Sequence, residues 1–325
     1  MSVYNEPERF LRESIDSILQ QTYRNFEFII ILDNPDNHEA LRVLQDYAQQ
    51  DPRIRLYQNP RNLGLAMSLN RGIQLAQCDI IARMDADDVA LPERLEKELN
   101  FMKEHPQYRL ISPNRIGIDE DGNQNRPPFL LPKDFDNIKD KENYMDMVPH
   151  SGITYYTEDL RLIGGYRNFP AAQDRDLWLR YLSRGWQVGF MDECLIKYRM
   201  STDNTTMGNS LRQWICVKYA LKLYRERTRK GNDSYSDAAL QQLLIKAGCN
   251  NARSKEQFNK GRKLLFEGGT AMREHRYLRT AFNLLRSIFL HKEMPSHVSY
   301  VIQARYRNAV TIPRLNRKAN ARSAK

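Results

Sequence analysis

The chain has 325 residues, of which 41% are hydrophobic, and its formal net charge is +10. This length suffices for one large domain or two ordinary ones. No stretch approaches the roughly 20 apolar residues of a membrane-spanning helix, and the start lacks the features of a signal peptide, so we expect a cytoplasmic protein. The four cysteines are scattered, which argues against a disulfide framework or a paired-cysteine zinc site.

The charge is distributed unevenly along the chain. Residues 1–200 contain 25 Lys and Arg against 32 Asp and Glu, whereas residues 201–325 contain 25 against 8, a net charge of +17. Such asymmetry predicts two regions with different partners. We expect a first domain over residues 1–205 and a basic helical region over 206–325.

The first ninety residues alternate between strands and helices. The intervening helices carry apolar residues on one face, and Pro7 stands at the start of the first helix. This alternation predicts an α/β fold with a mostly parallel, doubly wound sheet and helices on both faces. The predicted strands are 2–4, 26–32, 54–57 and 79–84.

The elements after residue 90 are less regular. A helix that ends at Pro106 is followed by strands near 108–118, 152–156 and 189–200 and a helix over 174–185. Residues 127–145 are polar and contain prolines, which predicts a mobile loop. The helices expected in the basic region are 211–230, 237–248, 255–267, 271–291 and 296–308.

Polar clusters follow the first, second and fourth strands. Ligands of open α/β sheets bind beyond the carboxyl ends of the strands, so these clusters predict one binding crevice. Their residues are Tyr4, Asn5, Glu6, Asp33, Asp85, Asp87 and Asp88.

The aspartates of "DADD" admit two interpretations. Aspartates before a helix often cap it. An EF-hand is excluded because Val89 and Ala90 stand where an oxygen ligand and the turn glycine are required. The position at a strand end favours instead a hard divalent cation that also binds a phosphate-bearing ligand. Neither a P-loop nor a G-x-G-x-x-G sequence is present.

Five motifs, in this order and spacing, resemble the family 2 glycosyltransferases of the GT-A fold, in particular the branch that builds bacterial surface polysaccharides. They are "MSVYNEP", "SILQQTYRNFEFIIILD", "NLGLAMSLNRGI", "IIARMDADD" and "IGGYRNFPAAQDRDLWLRYLSRGW". The resemblance covers about residues 1–200. It implies a nucleotide-diphosphate sugar donor (most often a UDP-sugar), Mn²⁺ or Mg²⁺, inversion at the anomeric carbon and a glycan or lipid-linked acceptor.

The resemblance also implies roles for individual residues. Asp85 would face the ribose and diphosphate, and Asp87, then Asp88, would bind the metal. Arg71 and Arg83 would contact the phosphates, with a framework role as the alternative for each. The residues implied for the nucleoside pocket are Tyr4, Asn5, Glu6 and Asp33.

Inverting transfer requires a group that takes the proton of the acceptor hydroxyl, and a carboxylate can do so. By resemblance this base is Asp174, although a helix-capping role is the alternative. Gln173 departs from the glutamate that is usual before the base. Asp176 is expected to support the framework.

The resemblance places three residues on the acceptor side: His150, Gly165 and Gln173. A hydrogen-bonded structural histidine and an ordinary turn are the alternatives for the first two. Trp178 is expected to pack, and Tyr198 and Arg199 match the family's "YR" pattern, where Met200 replaces a histidine that sometimes follows.

Two departures concern the nucleotide pocket and the start of the chain. After the second strand, "LDNPD" replaces the usual "DDGS", so only Asp33 is retained there. The family normally has more residues of strand one before "SVY", so we expect a truncated start and a shortened first strand.

The basic region has dispersed Lys and Arg among apolar helical positions and no recognisable nucleic-acid module, so no nucleic-acid partner is expected. The alternatives are a solvated helical appendage or attachment to anionic lipid through "FNLLRSIFLHK". Two other functions stay open at this point: a sugar-nucleotide pyrophosphorylase, and a non-catalytic module that binds nucleotide or membrane.

Overall fold

A computed structural model describes residues 1–125, 128, 135, 138, 141–145, 148–200, 209–314 and 316. The chain divides into two compact units, one of residues 1–168 and 173–202, the other of residues 169–172 and 203–325. The boundary predicted between residues 205 and 206 and most of the loop predicted over 127–145 lie outside the described residues.

The first sheet of unit 1 is parallel and has the order β1–β2–β3. Its strands are β1 (Ser2–Val3), β2 (Phe28–Leu32) and β3 (Ile54–Gln58). They alternate with α1 (Glu8–Leu19), α2 (His38–Gln50) and α3 (Leu65–Leu75). Ile30, Leu32 and Leu11 are fully buried between sheet and helices, as expected for strands covered on both faces.

The second sheet has the order β4–β7–β6–β8–β5 and is mixed. Its strands are β4 (Ile80–Ala82), β5 (Val89–Ala90), β6 (Tyr108–Ile118), β7 (Thr154–Tyr156) and β8 (Gln187–Arg199). Among its described pairs, β6 and β8 run parallel and the other three are antiparallel. The helices of this part are α4 (Arg94–Glu104), α5 (Thr157–Leu162) and α6 (Gln173–Ser183).

β4 differs from the prediction of a fourth parallel strand. It pairs antiparallel with β7, whose three residues match it along its whole length. β1 has two residues and pairs with β2. β7 pairs with all three residues of β4, so β4 belongs to the second sheet rather than to the parallel one.

A cavity of about 560 Å³ lies beside β1. Residues of β2, α3 and β4 line it, and it includes Met1 and Gly72. The amino group of Met1 is inside the protein and donates a hydrogen bond to the carbonyl of Ile29 at 2.9 Å. Burial lowers the pKa of this amino group to about 5, with a further contribution from the nearby charge of Arg83.

Unit 2 is helical in the part that the structure describes. Its helices are α7 (Ser210–Lys230), α8 (Asp237–Ala247), α9 (Ala252–Arg273), α10 (Tyr277–Leu290) and α11 (Met294–Tyr306), followed by a π-helical turn (Arg307–Thr311). None of the described helices is long and apolar enough to cross a membrane.

α9 corrects the predicted break between 267 and 271. The helix runs through Gly268 and Gly269 because both glycines lie at helix contacts. A Cβ at Gly268 would touch Asn283 at 3.4 Å, and one at Gly269 would overlap the guanidinium of Arg305. Close packing therefore explains why the helix continues through two glycines, a residue type that usually interrupts a helix.

Candidate active site

The end of β4 is fixed by an arginine–aspartate pair. The Arg83 side chain is 3% exposed and contacts both carboxylate oxygens of Asp85, with Nη1 donating to Oδ2 at 2.9 Å. The backbone N–H of Asp85 donates to Ser151 Oγ at 3.0 Å. A bidentate pair holds Asp85 in one orientation, so Arg83 acts first as its support.

Asp85, Asp87 and Asp88 form one oxygen cluster, with a carboxylate oxygen of each within 4.8 Å of the others. Burial raises the pKa of Asp87 to about 6, and raises that of Asp88 well above its usual range; the neighbouring carboxylates add to both shifts. Asp88 is fully buried, and its Oδ2 has no hydrogen-bond partner among the described residues. Three hard oxygen donors, one of them an orphaned buried atom, fit Mg²⁺ or Mn²⁺.

The capping interpretation of these aspartates is wrong for the next helix. α4 begins at Arg94, and its cap residue Glu93 makes no side-chain cap hydrogen bond. Between the cluster and α4, Val89–Ala90 forms β5. The cluster is therefore placed by strand β4 and the following turn.

Arg199, at the end of β8, contacts two aspartates of the cluster. Its backbone N–H donates to the side-chain Oδ1 of Asp88 at 2.8 Å, and its side-chain Nε donates to the backbone carbonyl of Asp87 at 2.9 Å. The guanidinium also pairs with Glu13 and lies 4.1 Å from the ring centroid of Phe10. This "YR" arginine thus sets the position of two aspartates.

The residues after β1 reach the same crevice. The negative charge of Glu6 contributes to the raised pKa of Asp87, so the two carboxylates are neighbours. Asn5 Oδ1 accepts from Asn34 Nδ2 at 2.6 Å, and Tyr4 is 43% exposed. The structure therefore brings together the ends of β1, β2 and β4, while the predicted contacts with a nucleoside stay predictions.

Asp33 and Arg71 are engaged by the turn before α3. Asp33 is 3% exposed and accepts hydrogen bonds from Asn59 Nδ2 at 2.7 Å and from the backbone N–H groups of Leu63 and Gly64 at 2.8 and 2.9 Å. Arg71 Nη1 donates to the carbonyl of Gln58 at 2.7 Å and to Asn59 Oδ1 at 2.6 Å. Both residues shape this turn, and their roles toward the nucleotide stay predictions.

Asp174 lies in the first turn of α6, directly after Gln173. Its Oδ1 accepts from the N–H of Arg175 at 2.8 Å. Burial raises the pKa of Asp174, and the charge of Arg83 opposes this shift, so the carboxylate lies near the arginine that supports Asp85. Ala172 has φ +54°, a left-handed conformation that costs a non-glycine residue energy.

Asp176 and Trp178 are framework residues, as expected. Asp176 is fully buried and pairs with Arg180 at 2.9 Å. Trp178 is 1% exposed, and its ring centroid lies 6.2 Å from that of His150.

His150 lies between Arg83 and Tyr166. Its Nε2 is 2.9 Å from the Tyr166 hydroxyl, and burial together with the charge of Arg83 lowers its pKa well below the usual range. The imidazole is therefore neutral at physiological pH. A neutral ring can accept or donate a proton in hydrogen bonds without adding charge to the site.

Gly165 forms a turn that Asn70 holds in place. Asn70 Nδ2 donates to the carbonyl of Tyr166 at 2.8 Å, and its Oδ1 accepts the N–H of Tyr166 at 2.7 Å. Gly165 has φ +64°, and a Cβ there would overlap Asn70 Oδ1. The turn thus needs glycine for both conformation and space.

Three residues of this site were missed from the sequence: Ser151, Asn70 and Tyr166. Each is next to a residue that was singled out, namely His150, Arg71 and Gly165. Their position beside these residues was the one feature of the sequence that could have identified them. The hydrogen bonds that bring them into the site join residues 66 or 96 positions apart, which a local pattern does not predict.

Comparison with known proteins relates this chain to a family. The family model described as "Glycosyl transferase family 2" matches residues 1–160. An uncharacterized glycosyltransferase of Methanocaldococcus jannaschii, MJ1057, is 34% identical over 227 residues, which cover 69% of this chain and 77% of the relative.

Two further relatives carry more specific names. The amylovoran biosynthesis glycosyltransferase AmsE of Erwinia amylovora is 30% identical, over 69% of this chain and 83% of the relative. The O-antigen biosynthesis glycosyltransferase WbnJ of Escherichia coli is 31% identical, over 68% of this chain and 85% of the relative.

Solved structures share the fold at low identity. TarS 1–349 of S. aureus in complex with UDP-GlcNAc has a TM-score of 0.57 and 12% identity, covering 91% of this chain and 90% of that one. The mannosyltransferase PcManGT of Pyrobaculum calidifontis, in complex with GDP-Man and Mn²⁺, has a TM-score of 0.55 and 15% identity, covering 95% and 86%.

Proposed function

Because the chain belongs to glycosyltransferase family 2, in its surface-polysaccharide branch, and has the GT-A fold, we propose that it is an inverting, metal-dependent enzyme. It moves a sugar from a nucleotide-diphosphate donor to a glycan or lipid-linked acceptor. The observation that carries the proposal is the presence of two carboxylate sites near Arg83: the cluster at the end of β4, whose Asp85 pairs with it, and Asp174, whose pKa its charge lowers.

The metal would be Mn²⁺ or Mg²⁺, held by Asp87 and Asp88. Their oxygens lie close together, and burial disfavours their negative charge unless a cation offsets it. When bound, the ion supplies Lewis acidity that stabilises the charge developing on the leaving diphosphate. Asp85, already paired with Arg83, would align the ribose and diphosphate beside it.

Asp174 is the proposed base. It would take the proton of the acceptor hydroxyl as that oxygen attacks the anomeric carbon on the side opposite the diphosphate. Burial raises its pKa, which makes the carboxylate a stronger base than an exposed aspartate. The hydrogen bond from Arg175 fixes one oxygen and leaves the other available for the proton.

The donor is proposed to be a UDP-sugar. TarS was solved with UDP-GlcNAc, and PcManGT with GDP-Man, which supports a nucleotide-diphosphate sugar as the ligand class. Tyr4, Asn5, Glu6, Asp33 and Arg71 would form the nucleoside and phosphate pocket around the ends of β1 and β2.

The acceptor would enter beside His150, Gly165 and Gln173. His150 and Tyr166, which follows Gly165, both interact with the charge of Arg83, and Gln173 directly precedes the proposed base. An acceptor carried on a membrane lipid suits an enzyme of the cytoplasm that works at the inner face of the plasma membrane, and we propose this location.

A donor panel tests the proposal. UDP-, GDP-, TDP- and CDP-sugars are added with EDTA, Mg²⁺ or Mn²⁺, and the melting temperature is recorded, because a ligand that binds only the folded state raises it. We expect one donor class to stabilise the protein only with the divalent ion, and release of nucleotide diphosphate when acceptor glycans are added. Absence of both signals for every donor would refute the proposal.

A further inference from the structure

α10 packs its small polar face inside and leaves its large apolar face outside. Asn283 and Ser287 are 5% and 0% exposed. Four large apolar side chains form one stripe at helical spacing on the opposite face, with exposed fractions between 58% and 90%. This stripe consists of Leu278, Phe282, Leu285 and Phe289. A helix of a globular protein normally has the reverse orientation.

The contact with α9 explains which face is buried. Gly268 of α9 lies opposite Asn283, and a Cβ on this glycine would already be in van der Waals contact with the Asn283 Cβ at 3.4 Å. Thr280 Oγ1 donates to the carbonyl of Gly268 at 3.2 Å. Only small side chains fit so close an approach between the helices. The contact therefore accounts for the buried polar face and leaves the apolar stripe without a covering partner among the described residues.

Positive charge lies along one edge of the stripe. At 100° per residue, Arg279 and Arg286 fall on the same flank of the helix, and the Arg286 guanidinium lies 5.3 Å from the ring centroid of Phe282. Residues 277–290 contain no Asp or Glu. In the part of the chain that the structure describes, neither arginine forms an ion pair with a carboxylate.

We propose that this face of α10 docks on an anionic phospholipid surface. The stripe would enter the boundary between headgroups and acyl chains, and Arg279 and Arg286 would bind lipid phosphates. The proposal deepens the membrane location proposed above, and it concerns a surface separate from the sugar-transfer site.

Charge favours lipid over a second copy of the chain. A symmetric dimer through this face would bring the same stripe and the same arginines together from both copies. Because α10 has no carboxylate to pair with them, these charges would repel within an apolar interface. An anionic lipid surface instead offers both the apolar layer and the opposite charge.

Vesicle sedimentation of the full chain tests the proposal. The vesicles are phosphatidylcholine alone or with 30% phosphatidylglycerol, and the variants are Leu278→Ser/Phe289→Ser and Arg279→Gln/Arg286→Gln. We expect the unaltered protein to bind the anionic vesicles. The serine pair should lower the affinity at least tenfold. The glutamine pair should lower it roughly fivefold per arginine and make it less dependent on salt.

Ile245→Ser is the matched control, because Ile245 is 63% exposed on α8 of the same unit; it should bind as the unaltered protein does. Failure of that protein to bind anionic vesicles, or equal binding by the serine pair, would overturn the proposal. So would a concentration-dependent dimer in sedimentation velocity that the serine pair abolishes. The donor-dependent melting shift, read in the same variants, should not change, so failure of the sugar-transfer proposal is seen separately.

Discussion

At the scale of single residues, the aspartates at the end of β4 are costly to the metal-free fold. Burial and mutual repulsion raise the pKa of Asp87 to about 6, so the folded protein holds a proton more tightly than the unfolded chain does. Folded stability therefore falls as the pH rises from about 4 to 6 and stays low above that window. Stability does not explain why carboxylates occupy this position, whereas the proposed binding of a divalent cation would.

We expect Asp87→Asn to raise the free energy of unfolding by roughly 1–2 kcal/mol at pH 7.5 in EDTA, because the amide carries no buried charge. The gain should shrink as the pH falls from 6 to 4. Urea unfolding at pH 7.5 and at pH 4 measures it, with Asp46→Asn, an exposed carboxylate on α2, as the control. The variant should also lose the melting shift caused by Mn²⁺; an unchanged metal response would remove Asp87 as a ligand.

The motifs predict which residues occupy this site and where they stand in the chain. They do not predict the hydrogen bonds and ion pairs that each side chain makes. The sequence placed Asp33 after β2 and in the nucleotide crevice. Its hydrogen bonds to Asn59, Leu63 and Gly64 depend on how the turn before α3 folds back, which no local pattern encodes. For the same reason, Arg83 was predicted to contact the donor phosphates, whereas the structure shows it in an ion pair with Asp85.

At the scale of elements, the turn at 164–166 offers a matched pair of glycines. Gly164 and Gly165 have φ +75° and +64°, but only Gly165 has a neighbour, Asn70, where a Cβ would be. Gly164→Ala should cost about 1 kcal/mol, the price of a left-handed alanine. Gly165→Ala should cost more and also lower transfer at least tenfold, because it displaces the Asn70 clamp on Tyr166. Equal losses in stability and activity for the two variants would contradict this explanation.

The cavity beside β1 gives a prediction for α3. Gly72 lines it, and a Cβ there would make an ordinary contact with Ile31 at 4.0 Å. Gly72→Ala should therefore stabilise the protein by about 0.5–1 kcal/mol, through helix propensity and partial filling. Gly189→Ala in β8, where a Cβ would lie 2.5 Å from the Tyr108 ring, should destabilise it. Thermal unfolding of both variants would show opposite signs, and a loss of stability for Gly72→Ala would be evidence against this packing.

Elements were predictable where the apolar pattern is long and packs in the usual way. The parallel strands β2 and β3 and helices α1 to α4 belong to this class. β4 was predicted in the parallel sheet but lies in the second sheet, because it pairs with β7, which comes more than 70 residues later in the chain. α9 continued through two glycines because of contacts with two other helices. Such outcomes depend on tertiary packing, which overrides local propensity.

At the scale of the whole molecule, the uneven charge corresponds to two compact units of different kind. The α/β unit contains every residue of the proposed sugar-transfer site. The helical unit carries a basic, partly apolar surface that the site does not use. One chain would thus combine chemistry on a sugar nucleotide with attachment to the membrane where a lipid-linked acceptor resides.

The most direct test of this account is turnover by Asp174→Asn. With the donor identified by the melting panel, we predict that the variant keeps the metal-dependent melting shift but releases nucleotide diphosphate to acceptors 10² to 10⁴ times more slowly, because an amide cannot take the proton. Asp46→Asn should retain full turnover. Full activity in Asp174→Asn, or joint loss of donor binding and turnover, would contradict its role as the base.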